Sequence, residues 1–89
     1  MVWNIKFEPF ADKNLEKLDH STRKQIIDYL RFKVLATNNP RLKGKALTGR
    51  KKGLWRYRVD KYRIICRIHN NTLTIVVLAI AKRDVIYND

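Results

Sequence analysis

The run LWRYRVDKYRIICRIHNNTLTIVVLAI, residues 54–80, decides the fold. It divides into three β-rich pieces, 54–59, 62–69 and 72–80. The gaps between them are Asp60-Lys61 and Asn70-Asn71, two residues each, the length that closes a β-hairpin. Asn-Asn suits the positive φ angles of such turns; Asp-Lys suits them less well. Taking the first turn at face value pairs Val59 with Tyr62, Arg58 with Arg63, Tyr57 with Ile64, Arg56 with Ile65 and Leu54 with Arg67.

Side chains alternate faces along a strand. One face of this hairpin therefore carries Trp55, Tyr57, Val59, Tyr62, Ile64, Cys66 and Ile68, a core face. The other carries Arg56, Arg58, Arg63 and Arg67 around Ile65. Continuing through the second turn adds Leu73, Ile75, Val77 and Ala79 to the core. It sends Thr74, Val76, Leu78 and Ile80 to the arginine face. The third strand is apolar on both sides, so the C-terminal tail or a partner is expected to cover part of that second face. Arg58 opposite Arg63 is a repulsive pair. Residues 41–67 hold eleven basic side chains and one acid, Asp60, so there are no local counter-ions. A phosphate would supply them, since guanidinium groups bind phosphate bidentately. A merely solvated charged face is the weaker reading, because these charges converge on a rigid sheet.

Upstream, Trp3, Ile5 and Phe7 alternate with polar neighbours as a first strand. Pro9 opens a helix with an Ala11, Leu15, Leu18 stripe. Ser21 is the expected N-cap of a second helix. That helix buries Ile26, Ile27, Leu30 and Val34 and ends at Asn38-Asn39-Pro40. His20 and His69 read as loop and turn residues, and Cys66 as packing. Residues 41–53, RLKGKALTGRKKG, form one long loop with six basic residues. The expected fold is α+β in the order β-α-α-β-β-β. Two N-terminal helices pack on one face of a mainly antiparallel four-stranded sheet, as a single domain over 1–89.

The chain has 20 Lys and Arg against 8 Asp and Glu, a net charge of +12. Solubility of a small domain needs a magnitude of only about 2 to 8, so the excess points to a polyanionic partner. One cysteine excludes an internal disulfide, and there are no clustered carboxylates to hold a metal. The start is too short and polar for a signal peptide, and no run is long enough for a membrane span. A cytoplasmic protein without cofactor or metal is expected.

LWRYRVDKYRIICRI, the tail KRDVIY, the opening strand with two helices, and NPRLKGKALTG together resemble the RelE/ParE superfamily of bacterial toxins, over nearly the whole chain. The most specific part is Tyr57-Arg58-Val59 followed by Tyr62-Arg63-Ile64. RelE-like members cut messenger RNA in the ribosomal A site; ParE-like members inhibit DNA gyrase and lack the catalytic set. An arginine after the last core strand and a tyrosine near the C-terminus are RelE-like, and Arg83 and Tyr87 match them. The resemblance thus implies Arg56, Arg58, Arg63, Arg83 and Tyr87 as the catalytic set. This chain departs from many relatives in having Asp60-Lys61 where they have glycine, and Lys82 where they have histidine. The tail also carries one extra residue before Tyr87.

The reaction so implied is attack of a 2′-OH on its own phosphodiester, giving a 2′,3′-cyclic phosphate and a 5′-OH. Arginines would stabilise the phosphorane-like charge. Tyr87 is the base the resemblance implies; a tyrosine pKa of about 10 leaves it mostly neutral at pH 7 unless arginines favour the phenolate. Lys43, Lys45, Arg50, Lys51, Lys52, Arg67 and Lys82 are expected to grip RNA backbone without sequence preference. The implied partners are an acidic cognate antitoxin, messenger RNA in the ribosomal A site, and ribosomal RNA. The antitoxin complex would in turn bind operator DNA. A ParE-like gyrase inhibitor and a plain nucleic-acid-binding module are the rival expectations.

Overall fold

The computed structural model describes residues 2–82. Strand β1 (Asn4–Phe7) is followed by helices α1 (Pro9–Glu16) and α2 (His20–Tyr29). Strands β2 (Lys45–Ala46), β3 (Trp55–Val59), β4 (Tyr62–His69) and β5 (Thr74–Lys82) follow. They form one sheet in the order β1-β5-β4-β3-β2, with β1 parallel to β5 and every other pair antiparallel. The α+β class with two helices on a mainly antiparallel sheet stands as expected, but with five strands instead of four. The extra strand is Lys45–Ala46, inside the expected loop 41–53. Two residues are too few for alternation to show in sequence.

Pro9 takes the first helical position of α1, where its missing N–H is no loss. The N-cap of α2 is Asp19, not Ser21: its carboxylate accepts hydrogen bonds from the Thr22 N–H at 3.1 Å and the Thr22 hydroxyl at 2.6 Å. These bonds, the hydroxyl's first, hold the Asp19 carboxyl below the usual carboxylate range. His20 is consequently the first residue of the helix and not loop. Beyond Tyr29 the helix widens into a π turn (Leu30–Val34), tightens into a 3₁₀ turn (Leu35–Thr37), and stops at Asn38 with φ 58°. Ile26, Leu30 and Val34 are buried from it against Tyr57, Ile64, Cys66, Ile75 and Val77. The rings of Tyr29 and Tyr57 meet edge-on at 6.2 Å. Burying an aliphatic side chain of this size is worth roughly 1.5 to 3 kcal/mol.

The β3–β4 register is the expected one from Arg56–Ile65 to Val59–Tyr62, with Asp60 accepting φ 56°. Leu54 precedes the strand and does not pair with Arg67; the pairing begins at Trp55–Cys66. The second hairpin differs. His69 pairs with Thr74, so the turn is the four residues 70–73, and the left-handed residue is Leu73 (φ 49°) rather than either asparagine. Lengthening a turn by two residues preserves the facing of every side chain, so Ile75 and Val77 still enter the core. A bulge then changes the parity: Cys66 pairs with Val77 but Ile65 with Ala79, which leaves Leu78 as the extra residue on β5. Ala79 therefore lies on the arginine face, and Ile80, expected there, is 4% exposed in the core. Beyond Val77, β5 has no β1 partner, and the Ile80 N–H donates to the Asn14 side chain of α1 at 3.0 Å.

Candidate nucleic-acid interface

Residues directly opposite each other in a sheet share a face. The register therefore lays the basic side chains out in rows on the face away from the helices. At the Asp60 end stand Arg58 and Arg63, with Ala81 beyond them. The next row is Lys45, Arg56, Ile65 and Ala79. The third is Arg67, Val76 and Lys6. Among the described residues, no strand position of the sheet is an Asp or a Glu. The ion pair Lys24–Asp28 lies on α2, away from this face. Among those residues no acidic side chain pairs with Arg56, Arg58 or Arg67.

Arg58 and Arg67 are exposed and Arg56 is half-buried. Arg63 has the expected face but not the expected openness. It is only 4% exposed and is engaged in a contact of its own. The side chain next along the same face, Ile65, is 5% exposed. This region of the face is thus covered, and Arg58 is the member of the pair that meets solvent. Lys82 pairs with Tyr62, a core residue, so it stands on the opposite alternation from Arg58 and Arg63, exposed at the end of β5. Arg83 and Tyr87 lie outside the described residues. His69 ends β4, six residues from Arg63, on the order of 20 Å along a strand.

The expected RNA-gripping loop is built onto the sheet. The Trp55 indole N–H donates to the Lys43 carbonyl at 2.8 Å, and the Tyr57 hydroxyl donates to the Pro40 carbonyl. Arg41 reaches Asn70 at 2.8 Å. Gly44 has φ 83°, and a methyl group there would collide with the Arg56 carbonyl oxygen, the Trp55 indole nitrogen and the Tyr57 ring. These contacts press the strap of residues 40–44 onto β3 and bring Lys45 beside Arg56. Burial raises the Tyr57 hydroxyl pKa, and it serves as a structural donor. Trp55 and Tyr57, expected on the core face, anchor the strap. Lys43, Arg50 and Lys52 are exposed; Lys51 is half-buried and engaged. The 3₁₀ turn Gly49–Lys51 closes the β2–β3 connection, where the Leu47 N–H donates to Leu54.

Sequence reasoning missed Lys6. Its alternation with Ile5 and Phe7 was visible, but nothing local says that its strand lies parallel to β5, one strand from Arg67. Among the described residues no helix is long and apolar enough to cross a membrane. They also hold no group of three His, Cys, Asp or Glu side chains placed to bind a metal.

Residues 5–87 match the family described as ParE toxin of type II toxin-antitoxin system, parDE. No curated protein sequence matches the chain. Among solved structures, the chain is similar to the toxin–antitoxin complex RelBE2 from Mycobacterium tuberculosis. The TM-score is 0.84 at 23% identity, covering 93% of this chain and 100% of that one. It is similar to the isolated E. coli RelE toxin with a TM-score of 0.73 at 21% identity, covering 92% and 84%. For the RelB–RelE antitoxin–toxin complex from Methanococcus jannaschii the TM-score is 0.67 at 23% identity, covering 93% and 95%. The fold is RelE-like.

Proposed function

Because the chain belongs to the ParE toxin family of type II toxin–antitoxin systems, we propose that it arrests growth as a cytoplasmic endoribonuclease that cleaves messenger RNA on the ribosome. The observation that carries this reading is the basic sheet face: paired Arg58–Arg63 and Lys45–Arg56 rows on strands that, among the described residues, hold no acid. A phosphodiester seated over Arg58 would meet guanidinium donors on a rigid support. In the proposed step the 2′-oxygen bonds to phosphorus and the bond from phosphorus to the 5′-oxygen breaks. The products are a 2′,3′-cyclic phosphate and a 5′-hydroxyl, the leaving oxygen taking up a proton. Arg56 and Arg58 stabilise the extra negative charge of the transition state, an effect worth about 2.7 to 4 kcal/mol per donor in comparable sites. Arg63 supports the same row from its buried position. Arg83 and Tyr87 complete the set by resemblance, with Tyr87 taking the 2′-proton.

Lys43, Lys45, Arg50, Lys51, Lys52 and Arg67 supply sequence-independent grip on the message and ribosomal RNA, and Lys82 does so from the end of β5. The partner is a cognate antitoxin, acidic where it meets this surface, and its complex with the toxin binds operator DNA. Solved complexes of similar fold are toxin–antitoxin pairs.

Primer extension on a translated message, with and without expression of the chain, tests the cleavage. New 5′ ends are expected within codons, and their absence overturns the reading. Tyr87→Phe tests the base: RNA binding should persist while cleavage falls. A second reading, gyrase inhibition without nuclease chemistry, is favoured by the ParE name of the matched family. Pulse labelling separates the two, because a gyrase inhibitor stops DNA synthesis while protein synthesis continues.

A further inference from the structure

The third basic row is not needed for a reaction at Arg58, and its two cations stand two strands apart instead of directly opposite each other. Lys6 and Arg67 flank Val76, one on each neighbouring strand, and both are exposed. Their Cα atoms are about 10 Å apart, two inter-strand spacings. Both side chains are long enough to lay their aliphatic stems along half-buried Val76 and bring their charges together above it. Neither meets an acidic side chain among the described residues.

The rows are also evenly spaced. Arg63, Ile65 and Arg67 mark them on β4, and the bulge residue belongs to β5, so β4 keeps its regular alternation. Successive rows are therefore two residues apart, about 7 Å. The cations also shift across the sheet, from β3 and β4 at Arg58–Arg63 to β4 and β1 at Arg67–Lys6, so the Lys6–Arg67 pair lies more than two rows' spacing from Arg58, a separation that an extended single strand spans in a few nucleotides. The basic turn at Gly49–Lys51 lies beside the Trp55 end of β3, so positive charge continues at that end of the sheet.

We infer that Lys6 and Arg67 form a phosphate subsite for single-stranded RNA, about two phosphates along from the one bound at Arg58, the strand between passing over Ile65 and Ala79. This rests on the reading of the Arg58–Arg63 row as a phosphate site. The ligand is a polymer with one charge per repeat unit, long enough to reach both the Arg58 row and the Lys6–Arg67 pair.

The experiment uses the full chain and 2′-O-methyl oligoribonucleotides, which cannot be cleaved, with one, two or three phosphates. Affinity is measured by fluorescence anisotropy over a range of salt concentrations. The expected result is a rise in affinity at the third phosphate that Lys6→Ala and Arg67→Ala each remove, with a distinctly smaller loss for the one-phosphate probe. Each variant should also reduce the slope of log K against log salt by about 0.7, the value for one phosphate contact on a single strand. Lys6→Arg should retain the increment. The subsite is overturned if the third phosphate adds no affinity, if either alanine variant binds the longest probe like the parent, or if the loss is the same for every length. It is also overturned if poly-glutamate binds as tightly as the longest RNA and responds to the same substitutions. Arg58→Ala tests the reading beneath it: if that variant binds the one-phosphate probe unchanged, the row at Arg58 is not a phosphate site, whatever Lys6 and Arg67 do.

Discussion

Arg58 and Arg63 face each other across β3 and β4, yet substitution should separate them sharply. Arg58 is exposed and unpaired by any acid among the described residues, so Arg58→Ala should leave the melting temperature near parental while cleavage falls a hundred- to thousand-fold. Arg63 is 4% exposed and engaged. Arg63→Ala should therefore lose cleavage and also destabilise the fold by roughly 1 to 3 kcal/mol, the cost of leaving a buried polar group unsatisfied. Thermal melting with single-turnover cleavage on programmed ribosomes checks both; equal melting of the two variants would refute the difference in burial. Cys66 offers a pH test. Burial pushes its thiol pKa up from the ordinary 9.0. Above that value the unfolded chain releases the proton and the folded protein keeps it. The unfolded state then binds fewer protons, and stability falls as pH rises. Urea unfolding at pH 7 and pH 10 should show this loss, and Cys66→Ala should reduce it. An unchanged pH dependence in that variant would assign the loss elsewhere.

Among the elements, the strap of residues 40–44 has the most consequence for the site. Its anchors are single hydrogen bonds from Trp55 and Tyr57 and the close seat of Gly44 on the Arg56 carbonyl. Gly44→Ala combines a left-handed φ with a collision and should cost roughly 1 to 3 kcal/mol. Because the strap leads directly into Lys45, the same change should weaken RNA binding, whereas Trp55→Phe, which loses one N–H donor, should cost about 0.5 to 1.5 kcal/mol. Urea melts and anisotropy on the two variants measure both effects; a Gly44→Ala protein with parental stability would contradict the packing described. The bulge at Leu78 is the other decisive element, since it sends Ile80 into the core and turns Ala79 out beside Ile65.

Across the whole molecule, a charge of +12 on 89 residues makes association with an acidic partner strongly salt-dependent. Titration calorimetry with the cognate antitoxin should show affinity falling steadily as salt is raised. An affinity indifferent to salt would show that apolar contacts alone hold the complex. Candidate apolar ground exists: a cavity of about 280 Å³ between β1 and α2 is lined by Trp3, Ile5, Phe7, Ile27, Leu30 and Leu35.

The sequence by itself determined the hairpin at Asp60-Lys61, the face of each arginine on its strands and the order of every strand and α-helix except β2. These rest on strict two-residue alternation and on turn chemistry, both local and both carried by unbroken runs of residues. The resemblance of the Tyr-Arg strands supplied the family. The tertiary structure decided what local pattern does not encode. The parallel docking of β1 against β5 joins residues some seventy positions apart and places Lys6 across Val76 from Arg67. The bulge changes parity in the middle of a uniformly apolar strand, where every residue looks equally fit for the core. Two-residue β2 pairs with β3 where the strap is held against that strand, a contact no local pattern announces. The burial of Arg63 likewise depends on what lies over the face, not on which face it is: alternation specifies direction, and only packing specifies exposure.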